Sequence, residues 1–162
     1  MADAPATFYL TTPIYYVNGA PHVGHAYTTV AADTLARWSR ALGSPTFFLT
    51  GTDEHGQKVL EAAQKRGRTP KEHCDDLVVE WKATMARLEV RYDRFLRTTD
   101  DDHVALVTRV LAHLHARGDI FRAEYVGWYH LRDEAFVTDK DREERIANGE
   151  PPDAFKQIQE TN

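Results

Sequence analysis

Thr12-Pro13-Ile14-Tyr15-Tyr16-Val17-Asn18-Gly19-Ala20-Pro21-His22-Val23-Gly24-His25-Ala26-Tyr27 changes character twice in a short span. The stretch from Thr7 to Val17 is rich in Thr, Tyr, Phe, Leu, Ile and Val, which predicts a buried strand. Pro13 belongs near its end, because proline cannot donate to a central ladder. Asn18-Gly19-Ala20-Pro21 is a turn cluster. From His22 or Val23 to Leu42, apolar residues recur at Val23, Ala26, Tyr27, Val30, Ala31, Leu35, Trp38 and Leu42. These steps of three and four make one helical face, and Gly43 is a natural stop.

Further along, Thr46-Phe47-Phe48-Leu49-Thr50 predicts a short buried strand, Gly51–Gly56 a loop, and Gln57–Lys65 a helix. Strand, helix, strand and helix at this spacing predict a right-handed βαβ unit with a parallel sheet, an α/β fold of Rossmann type. In such sheets ligands collect at the carboxyl ends of the strands. Both loops at those ends, 13–25 and 51–56, are rich in glycine and polar residues. Thr69, Pro70 and Glu72 form a capping box that opens a helix running to Leu88. A strand at Tyr92–Arg97 and a helix at Asp101–Arg117 follow, and Gly118 ends that helix. Residues 120–131 are aromatic and β-prone. After Asp139 the chain is highly charged and lacks a core stripe, which predicts a loosely packed or extended tail.

Composition bounds the function. The 162 residues are 42% hydrophobic and 28% charged, enough apolar side chain for a core, which argues against a disordered chain. Twenty Lys and Arg against 25 Asp and Glu give a formal charge of −5, which argues against a strongly basic nucleic-acid module. The one cysteine, Cys74, cannot pair within the chain, fits a reducing compartment such as the cytoplasm, and rules out a four-cysteine zinc ribbon. No apolar run approaches the ~20 residues that span a bilayer, and residues 1–6 do not read as a signal or transit peptide.

Pro21-His22-Val23-Gly24-His25 is the sharpest chemical feature. The first turn of a helix offers unpaired N–H groups and the positive end of the dipole, which suit a phosphate. Gly24 lets a ligand approach the backbone. His22 and His25, three residues apart, share one face and can donate hydrogen bonds to phosphate oxygens that gain charge in a transition state. Two other readings stay open from the residues alone: ordinary helix-start histidines, or a metal pair completed by Asp53 or His55. Ile14 could be plain core, Tyr16 a packing aromatic, and Asp53 a helix cap.

The run 12–27, with its His22-Val23-Gly24-His25, resembles the N-terminal signature of the methionyl-tRNA synthetases, a class I aminoacyl-tRNA synthetase family. Phe48-Leu49-Thr50-Gly51-Thr52-Asp53-Glu54-His55-Gly56 is similar to the family's second block. Asp93–Thr99, Gly118–Phe121 and Tyr125–Tyr129 continue the resemblance over nearly the whole chain. The resemblance implies ATP-dependent activation of methionine to methionyl-adenylate, then transfer to tRNA(Met), with no role for DNA or a membrane. It implies that His22 and His25 bind ATP phosphates and are catalytic, and that Gly24 lies against the adenosine. It implies that Asp53 pairs with the methionine ammonium while Ile14 and Tyr16 line the side-chain pocket. Mg2+ would accompany ATP. The alternatives are a shortened paralogue that binds nucleotide or amino acid, and an HxGH nucleotidyltransferase.

Two departures stand out. Many members of the family hold zinc through a Cys-x-x-Cys pair where this chain has His130 and Asp133, so no structural zinc is expected, as in knuckle-less branches. Class I synthetases also carry a Lys-Met-Ser-Lys-Ser motif late in the catalytic domain, whereas here the only serines are Ser39 and Ser44. The resemblance therefore implies residues 1–118 as the N-terminal half of the catalytic fold and 119–162 as the truncated start of its connective insertion, a segment inactive by itself.

Overall fold

A computed structural model describes residues 7–161. Its contacts divide the chain between Thr108 and Arg109. The boundary expected at 118/119 would instead fall after the helix that this division cuts.

The first unit is built on a parallel sheet. Strand β1 (Phe8–Thr11) pairs with the first half of β3 (Thr46–Asp53), and β2 (Tyr15–Tyr16) pairs with its end. Strand β4 (Arg94–Arg97) pairs with Leu49–Thr52 on the other edge of β3. The single strand expected over Thr7–Val17 is thus two pieces, because Pro13 interrupts the ladder between them. Strand β3 runs three residues beyond Thr50, so Gly51-Thr52-Asp53 belongs to the sheet rather than to the loop.

Helix α1 (Val23–Ala41) connects β2 to β3, and α2 (Gln57–Lys65) with α3 (Pro70–Arg87) connects β3 to β4. All three pack on one face of the sheet, around Phe48, Tyr15, Val17, Val59, Leu77, Trp81 and Met85. This is what two right-handed crossovers in the same direction produce. The other face carries Tyr9 and Phe47, stacked at 5.8 Å and both exposed.

Helix α1 reverses the usual logic of an amphipathic helix. Its buried residues are Thr29, Ala32, Asp33, Ala36 and Ser39. The apolar stripe of Val23, Tyr27, Val30, Leu35, Trp38 and Leu42 lies outward. Burial of polar groups is tolerated because each has a partner. The Thr29 hydroxyl is 2.9 Å from that of Tyr15, Asp33 accepts from the Arg91 amide at 2.8 Å and Arg37 at 2.5 Å, and Ser39 accepts from Thr46 at 2.9 Å. Small residues on this face let α1 lie close against the sheet.

Helix α4 (Asp101–Ala116) has no buried residue; Val104, Leu106, Val107, Val110 and Leu111 are all exposed. Beyond the division, β5 (Glu124–His130) pairs antiparallel with β6 (Ala135–Val137) and with β7 (Phe155–Thr161). The tail expected to be loose or extended is instead ordered. Helix α5 (Asp139–Ala147) starts on a Thr138/Asp141 capping box, a short 3-10 turn spans Pro152–Ala154, and β7 pairs along its full length with β5. Aliphatic packing is replaced here by the Arg142 guanidinium, 3.9 Å from the Trp128 ring, and by Phe155, which is buried against His130 at 4.9 Å.

At Gly51 a Cβ would lie 1.8 Å from the Leu96 carbonyl oxygen and 2.8 Å from its carbon, so only glycine lets β4 close on β3 there. Gly51→Ala should cost about 3 kcal/mol or more of stability, read as a lower urea midpoint. A wild-type midpoint would contradict this packing.

Candidate active site

His22 and His25 form the N-terminal cap of α1 between them. The Nδ1 of His22 accepts from the Gly24 amide at 3.1 Å, and the Nδ1 of His25 accepts from the His22 amide at 3.1 Å. This is a reciprocal capping box made of two imidazoles, where Ser/Thr and Glu are usual. The helix-start reading is therefore true, and it leaves the chemistry free. With each Nδ1 used as an acceptor, the ring proton sits on Nε2 as a donor for a ligand. The first turn of α1 contains no acidic residue, so its positive dipole end is not neutralised.

Aromatic packing fixes these rings. The two imidazoles stack at 3.7 Å, His25 meets the Tyr15 ring edge-on at 5.0 Å, and Trp81 leans on His25 at 4.6 Å and stacks on Tyr15 at 5.1 Å. Burial, and then the neighbouring His22, hold His25 below the ordinary histidine pKa. From α3, the Trp81 indole N–H donates to the Gly19 carbonyl at 3.3 Å, and buried His73 bonds the Val17 carbonyl through Nε2 at 3.0 Å. The turn 17–22 is thus pinned from below by two buried side chains. A Cβ on Gly24 would come within 3.0 Å of the His22 ring, so Gly24 makes room for the cap itself as well as for any ligand.

Asp53 ends β3, directly opposite Tyr16 in the ladder. Register partners in a parallel pair share a face, here the one opposite the helices. The Asp53 carboxylate accepts a 3.3 Å bond from the His55 amide, while Gly56 occupies the cap position of α2 without a side-chain bond. Asp53 is therefore not the helix cap. Ile14 and Tyr16 are each about half exposed (49% and 47%), so neither is core. The structure brings Tyr16 and Asp53 together at the strand ends; it places His22, Gly24 and His25 together at the start of α1. Among the described residues no group of three or more His, Cys, Asp or Glu side chains is placed to hold a metal ion, so His22 and His25 gain no third ligand from Asp53 or His55.

A family model described as tRNA synthetases class I (M) matches residues 8–157. The chain belongs to this family. It is 48% identical over 143 residues to a methionine–tRNA ligase of Thermotoga maritima, covering 86% of this chain and 23% of that protein. It is 47% identical over 146 residues to a chloroplastic/mitochondrial methionine–tRNA ligase of Arabidopsis thaliana, covering 90% and 23%. The structure of a Mycobacterium tuberculosis methionyl-tRNA synthetase in complex with methionyl-adenylate superposes with a TM-score of 0.83 at 36% identity, over 96% of this chain and 31% of that one. A LeuRS–tRNA–LeuAMS ternary complex from Agrobacterium radiobacter K84, 22% identical with a TM-score of 0.74 over 99% of this chain and 21% of that one, shares the fold. The chain spans about a quarter of the length of the curated relatives it matches.

Beside Asp53 the chain buries an ion pair that the sequence reading passed over. The side chain of Glu54 is fully buried, and Arg97 grips it with two bonds, Nε to Oε1 at 2.6 Å and Nη2 to Oε2 at 2.8 Å. Thr52 and Thr99 add hydroxyl bonds at 2.8 and 2.5 Å, and Arg97 also reaches Asp75 on α3 at 2.6 Å. The signal was present in Thr52-Asp53-Glu54, a charged pair at a strand end, but its partner lies over forty residues away. Burial pushes the Glu54 pKa up, yet bonds from Arg97, Thr99 and Thr52 outweigh it and hold the carboxyl below its ordinary value. Cys74, close to this pair, is pushed up to about 11 by burial, which makes it an inert thiol.

A carboxylate depressed in the folded state contributes stability above its unfolded pKa of about 4.3 and loses it as pH falls through the folded value. Glu54→Gln should therefore be less stable than wild type at pH 7, with the gap between their urea midpoints closing as the pH falls below about 4. A gap that does not change with pH would show that the charge of Glu54 is not what ties the strands.

Proposed function

We propose that the chain is the N-terminal part of a methionine–tRNA ligase and carries one half of its adenylation site. The observation that carries this reading is the pair of imidazoles at the start of α1 whose Nδ1 atoms are spent on the cap, leaving Nε2–H as the donor, together with the Tyr16–Asp53 pair at the strand ends, in a fold that matches a methionyl-adenylate complex.

The reaction has two steps. The methionine carboxylate attacks the α-phosphate of ATP and expels pyrophosphate, and the methionyl group then passes to the terminal adenosine of tRNA. Negative charge gathers on the phosphate oxygens in the first transition state. His22 and His25 donate to those oxygens from Nε2, and because stacking and capping already hold the rings, no reorganisation is needed as the charge develops. Gly24 leaves its backbone open to the adenosine. Asp53 accepts the methionine ammonium in a charge-assisted bond. Ile14 and Tyr16, exposed and free of the core, offer the apolar and aromatic surface that suits a flexible thioether. Mg2+ enters with ATP as part of the substrate. We place the reaction in the cytoplasm within protein synthesis, in keeping with the single buried Cys74. No described helix is long and apolar enough to cross a membrane.

Methionine-dependent ATP–pyrophosphate exchange tests the reading. The 162-residue chain alone should show little or no exchange, since it contains no Lys-Met-Ser-Lys-Ser motif for the β- and γ-phosphates. In a full-length synthetase bearing this segment, His22→Ala or His25→Ala should lower exchange about 10²- to 10³-fold. Loss of the cap should cost only about 1 kcal/mol of stability. Robust exchange by the short chain, or normal exchange by either variant, would contradict it.

A further inference from the structure

Four side chains of the second unit converge outside the proposed site. His130 ends β5, Asp133 lies in the turn to β6, Arg145 is on α5, and Glu150 follows α5. The Arg145 Nη1 lies 2.7 Å from Asp133 Oδ2, 3.4 Å from His130 Nδ1 and 3.8 Å from Glu150 Oε2. His130 is buried, and its other ring nitrogen is 3.5 Å from Glu150 Oε2. That oxygen is shut from solvent and makes no hydrogen bond, so these cationic or ring-nitrogen contacts are what meet its charge. One nitrogen and two oxygens of metal-ligand type are therefore arranged around a single positively charged nitrogen.

These residues do not fit a zinc ion. His130 and Asp133 stand where the family resemblance puts the first zinc-binding pair, but a metal held at ~2.0–2.2 Å by these donors would need the space of Nη1. It would also lie against a guanidinium that stays protonated at any ordinary pH. No cysteine follows Cys74 to complete a set of four ligands.

We propose that the Arg145 guanidinium does here the structural work of a metal ion, cross-linking the β5–β6 turn to the segment between α5 and β7, and that the site takes no divalent cation. The backbone is tied at the same points. The Leu131 amide donates to Ala154 at 3.0 Å and the Glu150 amide to Arg145 at 3.0 Å. Phe155, the first residue of β7, closes over His130. The bond from Arg145 also holds the Asp133 carboxyl below its ordinary range. A guanidinium suits this place because it bonds the Asp133 carboxylate while its delocalised charge also faces that of Glu150, whereas a lysine ammonium is a compact point charge. The proposal concerns this unit's own staple and stands apart from the reaction proposed above.

Metal analysis and amide hydrogen exchange on the purified chain test it. After dialysis with zinc and removal of excess, the wild-type chain should retain no stoichiometric zinc, and a chelator should leave its exchange pattern unchanged. Arg145→Met should speed exchange at the Leu131 and Glu150 amides by about tenfold or more, the loss of a hydrogen bond to a charged group. Arg145→Lys should recover part of that protection, and Arg132→Met, on the same turn, should leave it intact. One equivalent of zinc whose removal opens these amides would overturn the proposal. So would an Arg145→Met pattern equal to that of Arg132→Met. The zinc measurement on the wild-type chain remains decisive even if Arg145→Met fails to fold.

Discussion

The fully buried carboxylate of Glu54 is the constraint on which the first unit turns. A charge without solvent must be matched by partners, and those partners come from three elements: Thr52 on β3, Arg97 and Thr99 at the end of β4, and through Arg97, Asp75 on α3. Meeting that requirement fixes where the carboxyl ends of β3 and β4 stop relative to each other. It also fixes the backbone one residue on from Asp53, and the Thr98 hydroxyl, held in the same strand exit, receives the Glu54 amide at 2.9 Å and lies 3.1 Å from His55 Nδ1. The backbone that carries the residues of the strand ends is thus held by the buried pair beneath it, which is the condition a preformed site requires.

A second device works in the same way around the histidines. Capping consumes the Nδ1 atoms and stacking orients the rings, so Nε2–H is the ring donor left to each histidine. Trp81 and His73, buried on α3, link this turn to the same helix that Arg97 reaches through Asp75. Helix α3 is therefore the common support of both halves of the candidate site, although none of its residues is among those that the family resemblance assigns to binding.

Much of this was legible in the sequence, and the rest was hidden for identifiable reasons. The βαβ order, the cap at Thr69 and the start of α1 follow from local pattern, and local pattern is what a sequence displays. The apolar stripe of α1 was read correctly as a face, but its outward direction depends on Thr29, Asp33 and Ser39 finding partners on Tyr15, Arg91 and Thr46. Such pairings are long-range and leave no periodic trace. The Glu54–Arg97 pair was missed for the same reason. The tail after Asp139 was misjudged because its packing uses Arg142 on Trp128 and a capping box rather than aliphatic residues, so a search for a hydrophobic stripe finds nothing. His22, Gly24 and His25 follow from the physics of a helix start, whereas the roles of Ile14, Tyr16 and Asp53 come from motif resemblance, and the structure adds the partners or the exposure of each.

The central claim is that the fold presents two Nε2–H donors at the start of α1 to the phosphates of ATP. Imidazole nitrogen NMR, with ring signals assigned through His22 and His25 substitutions, reads this directly. At neutral pH the account predicts the proton of both rings on Nε2 with Nδ1 bare, and a shift of both Nε2 signals on addition of ATP. Rings carrying the proton on Nδ1, or Nε2 signals unmoved by saturating ATP in a full-length synthetase bearing this segment, would contradict it.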